Sequence, residues 1–277
     1  MSHQKFYSKA HFYDLLFRFK DLAKENQTLI DLYQKLNDKM PASFLDIAAG
    51  PASNAIEMSK RGITSTAMDY SQEMVDYGLM RAKEEGATIS YFQGDMRDFR
   101  SPKPVDLAAI FMISTSYLLT NDDMLQHLKS MASNLNPQGI YVLEMPHPID
   151  LFAVGKHTLA QWEEKWEETW QERWEEYWEH QDGDTKVSLQ WGEEADPFDP
   201  ITQIRTVTAR LKYQTPEETG EIVDHSAQRE YTYQEMKLLI QISGVFELCC
   251  ALGNWNTAIP FSNAKESSRM ILVLRKL

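Results

Sequence analysis

Phe44-Leu45-Asp46-Ile47-Ala48-Ala49-Gly50-Pro51-Ala52-Ser53-Asn54 is the stretch that decides the fold. An apolar run rich in strand formers gives way to tiny residues. Ala55-Ile56-Glu57-Met58-Ser59-Lys60-Arg61-Gly62 then has the pattern of a helix that stops at a glycine. In a strand, tight turn and helix of this kind, small side chains let a ligand reach the backbone, and the helix start offers unpaired N–H groups. Asp69 closes the next apolar segment, about 20 residues on, where an acid can hold a ribose diol. A three-glycine dinucleotide fingerprint is absent: only Gly50 is glycine, and Ala48 and Ala52 fill the other small positions. By itself the segment also fits an ordinary βα turn.

The flanking segments extend the pattern. Ser71-Gln72-Glu73-Met74 opens a helix with Ser71 as its cap. Tyr91-Phe92-Gln93-Gly94-Asp95-Met96-Arg97-Asp98-Phe99 closes a third strand, and Val105 to Ile113 forms a fourth. Leu135-Asn136-Pro137-Gln138-Gly139 reads as a turn before a fifth strand, Ile140 to Met145. Alternating strands and helices imply parallel pairing through right-handed crossovers. The strand ends that carry Asp46, Asp69, Asp95 and Ile113 are therefore expected along one edge of the sheet, where ligands of open α/β sheets bind.

In this order and spacing the chain resembles the class I S-adenosylmethionine-dependent methyltransferases, in the small-molecule branch whose first motif reads Asp-x-Ala-Cys-Gly-Pro-Gly. Here that motif is Asp46-Ile47-Ala48-Ala49-Gly50-Pro51-Ala52; Ala67-Met68-Asp69-Tyr70-Ser71 matches the second and Gly94 to Phe99 the third. The likeness covers residues 40–147 and resumes at Tyr233 to Gly244 and Arg269 to Leu274. It implies a Rossmann-like, seven-stranded, mostly parallel sheet with helices on both faces. It also implies S-adenosylmethionine as cofactor, S-adenosylhomocysteine as its product, and methyl transfer to oxygen or nitrogen of a small molecule. By position, Gly50 and its neighbour Ala48 would let the methionine part of the cofactor lie against the backbone. Asp46 would meet its amino group, and Asp69, beside Tyr70, the ribose hydroxyls. Asp95 would face the adenine amino group with Met96 near the ring. Ile113 would supply backbone contacts near the sulfonium, and Tyr13 would approach the cofactor from the N-terminal helices. Asp98 is left as structural. Ala49 and Ala52 depart from the motif's cysteine and last glycine, and alanine restricts positive φ.

The 277 residues, 43% of them hydrophobic, suffice for one large domain with an insertion. Residues 1–41 read as a helical cap, with one apolar face from Phe12, Leu15, Leu16, Phe19 and Leu22 and another from Leu29, Leu32, Tyr33 and Leu36. Residues 42–147 are the cofactor-binding core, 148–231 an insertion, and 232–277 the completion of the sheet. In that last part Thr232 and Glu235 suit a capping box, Gly244 ends the helix, and Val245–Leu252 and Met270–Leu274 form the last two strands. No apolar run reaches a membrane span, no secretory signal is visible, and a cytoplasmic protein without a membrane is expected. Cys249 and Cys250 are adjacent in a strand and should point to opposite faces, against a disulfide. The net charge of −13 weighs against nucleic acid as a partner. No metal site is expected.

The insertion breaks the alternation. Trp162, Trp166, Trp170, Trp174 and Trp178 recur every fourth residue among glutamates, with Trp191 further on, and residues 156–200 hold 14 acids against 4 bases. Glutamate favours helix over 159–170. Asp182-Gly183-Asp184 signals a hairpin, and Thr202–Tyr213 and Glu221–Tyr231 alternate like strands. An antiparallel layer acting as a substrate lid is expected. The tryptophans serve as packing, as a cation site for an amine substrate, or as an interface of a homo-oligomer. Methyl transfer from a sulfonium needs alignment and exclusion of water more than a fixed triad. His147, after the fifth strand, is the candidate base, and Tyr117, after the fourth, the candidate substrate-orienting group; His11 is weaker. Two other readings are a noncatalytic cofactor-binding module that docks through the tryptophans, and a protein methyltransferase.

Overall fold

The computed structural model describes residues 7, 9–149 and 178–277. These divide into two compact units. One runs from Asp21 to Pro148 and from Tyr231 to Leu277; the other takes the described residues up to Lys20 and from Ile149 to Glu230. The N-terminal segment thus divides between the units: α1 (Ala10–Leu16) falls in the second and α2 (Leu22–Asn37) in the first. Asp21 makes the break by accepting the Lys24 amide at the start of α2, and Phe19, expected on an apolar face, lies beyond the end of α1 and is 70% exposed.

The first unit is built on β1 (Ser43–Ile47), β2 (Thr64–Asp69), β3 (Ile89–Gln93), β4 (Val105–Ile110) and β5 (Leu135–Pro146), with β11 (Phe246–Leu252) and β12 (Arg269–Lys276) from the C-terminal part. The order across the sheet is β11-β12-β5-β4-β1-β2-β3. The five N-terminal strands are parallel, and β12 runs antiparallel to both β5 and β11. The expected seven-stranded, mostly parallel sheet is present. β1 is buried on both faces, which is why Phe44 and Leu45 are apolar at consecutive rather than alternate positions. Leu45 and Ile47 enter a core with α5 (Asn121–Ser133) and α6 (Tyr233–Ser243), whereas Phe44 packs with α2 and α3 (Ser53–Lys60) on the other face. α4 (Gln72–Glu84) joins α3 through Ala82, Val75, Ala55 and Ile56. Each such fully buried large side chain contributes about 1.5–3 kcal/mol.

Local signals fall where the sequence placed them. Ser71 accepts the Met74 amide, Thr232 and Glu235 form a capping box, and Gly244 closes α6 at φ +66°. Three expectations need correction. The fourth strand ends at Ile110, not Ile113, because Met112 and Ile113 leave the extended region at positive φ. The turn expected at 135–139 belongs to β5, which starts at Leu135 and shifts register against β4 between Val105 and Leu107. Cys249 and Cys250 are free thiols, but a register shift between Leu248 and Cys250 lets both pack against the same cluster instead of opposite faces.

In the second unit, β6 (Trp178–Asp182), β7 (Thr185–Trp191), β9 (Ile204–Gln214) and β10 (Thr219–Arg229) form an antiparallel sheet in the order β10-β9-β7-β6, with β8 (Phe198–Asp199) on β9. Asp182 pairs with Thr185 across a two-residue turn with Gly183 at φ +58°. Phe12, Leu15 and Leu16 of α1 pack on Val187, Leu189, Ala209 and Leu211, and Arg18 pairs with Asp182 at 2.7 Å. Trp191 packs against this cluster, and Trp178 meets the edge of Phe17. The helix expected over 159–170, with Trp162, Trp166, Trp170 and Trp174, lies outside the described residues. Among the described residues no helix is long and apolar enough to cross a membrane.

Candidate cofactor site at the carboxyl edge of the parallel sheet

Parallel pairing of β1, β2, β3 and β4 brings the residues that follow Ile47, Asp69, Gln93 and Ile110 to one edge. The loop after β1 is wound tightly: Ala48, Gly50 and Ala52 all have positive φ, at +52°, +53° and +59°. Alanine therefore holds two left-handed positions where glycine would be unstrained. The Ala52 amide donates to the Ala49 carbonyl, and the Ala49 amide to the Met68 carbonyl. α3 then starts without a side-chain cap, and the Ala55 amide donates to Asp46 Oδ2 at 3.3 Å. Asp46 is buried, so it serves the loop from beneath.

Asp69 joins the loop to β2. Its Oδ2 accepts the Gly50 amide at 2.8 Å and its Oδ1 the Ser71 amide at 2.9 Å. Burial pushes its carboxyl up, against the pull of the amides of Ser71 and Gly50. Each oxygen retains further acceptor capacity, which suits a diol. Tyr70 is exposed, and its carbonyl accepts from Gln93. Two braces outside the expected site residues complete the loop. The Tyr91 hydroxyl donates to the Gly50 carbonyl at 2.6 Å, and Arg81 donates to the Pro51 carbonyl and, at 2.8 Å, to Ser53 Oγ.

At the third motif, Asp95 is gripped by Arg97: Nη2 donates to Oδ2 at 2.6 Å and Nε to Oδ1 at 3.0 Å. The guanidinium holds the Asp95 carboxyl below the usual range. Met96 packs against the core, and its carbonyl accepts from Nδ1 of the fully buried His127 at 2.8 Å. Since a carbonyl only accepts, Nδ1 carries the proton, and Nε2 accepts from the Tyr141 hydroxyl at 2.7 Å. Burial lowers the His127 pKa to about 4 and keeps the ring neutral. The sequence reading passed over His127 and its helix, although Thr120 and Asp123 form a capping box there.

Ile113 follows the end of β4 in a left-handed conformation and opens the 3-10 turn Ser114–Tyr117. Tyr117 is half-buried in that turn. His147 is 5% exposed, donates from Nε2 to the Ser262 carbonyl at 3.0 Å and lies 5.0 Å from the Phe261 ring. That proton ties the 262 loop to β5. Tyr13 lies in α1 of the other unit, 4.5 Å from the Phe17 ring and 5.6 Å from that of Tyr7. His11, beside Phe12, belongs to the same helix and is exposed. The first unit thus gathers Asp46, Ala48, Gly50, Asp69, Tyr70, Asp95, Met96 and Ile113 at strand ends.

A family model described as "Methyltransferase domain" matches residues 44–139. The chain is 30% identical over 137 residues to dTDP-3-amino-3,4,6-trideoxy-alpha-D-glucopyranose N,N-dimethyltransferase of Streptomyces venezuelae, an alignment covering 49% of this chain and 56% of that protein. The chain spans about half the length of the curated relatives it matches. Among solved structures, its fold is similar to an S-adenosylmethionine-dependent methyltransferase from Clostridium acetobutylicum, at TM-score 0.73 and 16% identity over 96% of each chain. It is also similar to DesVI of Streptomyces venezuelae, at TM-score 0.72 and 19% identity over 96% of this chain and 97% of that one. Together with the strand order, these findings show that residues 44–139 match a methyltransferase domain and that the chain's fold is similar to that of S-adenosylmethionine-dependent methyltransferases.

Proposed function

We propose that the protein transfers a methyl group from S-adenosylmethionine to oxygen or nitrogen of a small molecule, with an amine as the preferred acceptor. The observation that carries this is the Asp69 carboxylate accepting the Gly50 amide across the end of β1, inside the segment that matches a methyltransferase domain. The residues fit the cofactor. The loop from Ala48 to Ala52 is built of small residues at positive φ, the N-cap residue of α3 brings no capping side chain, and Asp69 has acceptor capacity for two hydroxyls. When bound, the cofactor supplies a methyl group already activated by positive sulfur. The chain's own part is to orient the partners and exclude water. Asp46, beneath the loop, would act on the amino end of the cofactor through charge or water, and Asp95 would hold the adenine amino group, with Met96 against the ring. Tyr117 would orient the acceptor. With its Nε2 proton on the Ser262 carbonyl, His147 is better suited to bracing than to taking a proton there.

The amine preference rests on the acidic insertion and on the relative from Streptomyces venezuelae, whose name specifies N,N-dimethylation of an amino sugar nucleotide. The relatives reported are enzymes, which favours turnover over a docking module. We assign acceptor selection to residues 148–231. A cytoplasmic location agrees with the two unpaired cysteines. Calorimetric titration of the wild type and Asp69→Ala with S-adenosylmethionine tests the cofactor site: the wild type binds and the variant loses at least an estimated tenfold in affinity, about 1.4 kcal/mol. Methyl uptake is then measured with amino and hydroxy sugar nucleotides, and with Trp170→Leu and Trp174→Leu. Absence of binding by a folded wild type defeats the reading.

A further inference from the structure

The end of β4 carries backbone strain that the cofactor loop does not explain. Met112 and Ile113 are consecutive left-handed residues, at φ +52° and +60°, and neither is glycine. For a β-branched residue this conformation is an outlier, which persists only where its surroundings impose it. Part of the restraint is local: the Ser114 amide and hydroxyl both donate to the Phe111 carbonyl, and the Ser116 amide to that of Ile113. The rest comes from β5. Glu144 has a side chain only 6% exposed. Its Oε2 accepts the Met112 amide at 2.9 Å. Its Oε1 lies 3.3 Å from Arg269 Nε, across the Ile271–Glu144 pairing of β12 with β5. A carboxylate this buried needs partners for both oxygens, and the two it has join β12, β5 and the strained residues after β4. Neither Glu144 nor Arg269 belongs to the three motifs that mark the cofactor loop.

We infer that Glu144 is a positioning residue of the methyl-donor site: its carboxylate, held by Arg269, fixes Met112 and Ile113 in the left-handed turn that binds S-adenosylmethionine. The inference rests on the function proposed above, which puts the cofactor at this edge. Glutamine at 144 keeps the shape but offers one acceptor oxygen where the carboxylate offers two, so either the Met112 amide or Arg269 loses its partner. The turn is then free to relax toward ordinary φ.

The test is cofactor affinity by calorimetry for wild type, Glu144→Gln, Arg269→Met and the double variant Glu144→Gln/Ile113→Gly, with amide exchange at Met112 followed by NMR. The expected result is an affinity loss of about tenfold for Glu144→Gln, the scale of one charged hydrogen bond, and faster exchange at Met112. Glycine at 113 adopts positive φ at no steric cost, so the double variant should recover to within about threefold of wild type. A merely structural role would lower the melting temperature of both Glu144 variants without such a recovery. Unchanged affinity, unchanged exchange, or a folded double variant that fails to recover overturns the inference. If Glu144→Gln does not fold, Arg269→Met, at the more exposed end of the pair, carries the same comparison. If the wild type binds no cofactor, the functional reading fails, and Met112 exchange alone decides whether Glu144 holds the turn.

Discussion

The hydroxyl of Tyr91, on β3, donates to the carbonyl of Gly50, 41 residues earlier in the loop after β1, at 2.6 Å. The same Gly50 gives its amide to Asp69. One peptide region is thus held from two strands, which presents the loop as a preformed surface. Tyr91→Phe removes the hydroxyl while keeping a ring that is 9% exposed. The expected outcome is a stability loss of about 1 kcal/mol in urea unfolding, with cofactor affinity reduced by a similar factor. Equal affinity in wild type and variant would show that the loop does not depend on this brace.

Gly78, inside α4, is where that ring passes. A Cβ there would stand 2.5 Å from Tyr91 Cε1 and 3.1 Å from Ala52 Cβ. Alanine gains about 1 kcal/mol of helix propensity but meets an overpacking cost of about 1–3 kcal/mol. Gly78→Ala should therefore lower the melting temperature by a few degrees and, by displacing the ring, weaken cofactor binding as Tyr91→Phe does. A melting temperature above wild type refutes this.

Ala48 and Ala52 test the strain in the loop. A left-handed alanine costs about 1–2 kcal/mol, and glycine relieves it while adding about 0.5–1 kcal/mol of chain entropy to be lost. Ala48 is half-buried, so Ala48→Gly should stabilise by about 0.5 kcal/mol, the difference between those terms. Ala52 is fully buried, and its methyl contributes about 0.8 kcal/mol; Ala52→Gly should come out near neutral. Urea midpoints at constant slope decide both.

His127 gives the fold a pH dependence with a definite sign. Its pKa is about 4 in the folded chain against 6.5 for the unperturbed ring. The unfolded chain therefore takes up the proton first. Stability from the neutral ring is fully present above about pH 6.5, falls as pH drops toward 4, and is flat below. The whole difference is about 3 kcal/mol, of which about 2 is gone at pH 5. His127→Gln should be less stable at pH 7 and lose less than wild type between pH 7 and pH 5. Parallel curves for the two proteins would mean that the ring titrates normally.

Much of the site was legible. The small residues from Ala48 to Ala52, the acid at Asp69 and the run Gly94–Phe99 are contiguous patterns, and the structure sets them at neighbouring strand ends. What escaped was the way each is held. Asp95 carried no sign of its grip by Arg97 beyond their standing two residues apart, and the extended pattern of Val105–Ile113 hid the two left-handed residues at its end. Nothing in Cys249-Cys250 announces a register shift.

The sequence by itself determined the strand, turn and helix around Asp46, the caps at Ser71, Thr232 and Gly244, and the positions of the cofactor motifs. Periodicity, capping and turn chemistry act over a few residues and are written locally. Only the tertiary structure decided which distant groups meet. Tyr91 reaches Gly50, His127 bridges Met96 and Tyr141, and Arg269 meets Glu144 across 125 residues. Those contacts follow from strands that are neighbours in the sheet but not in the chain. They arise because a buried polar group must find a partner wherever the packed fold supplies one.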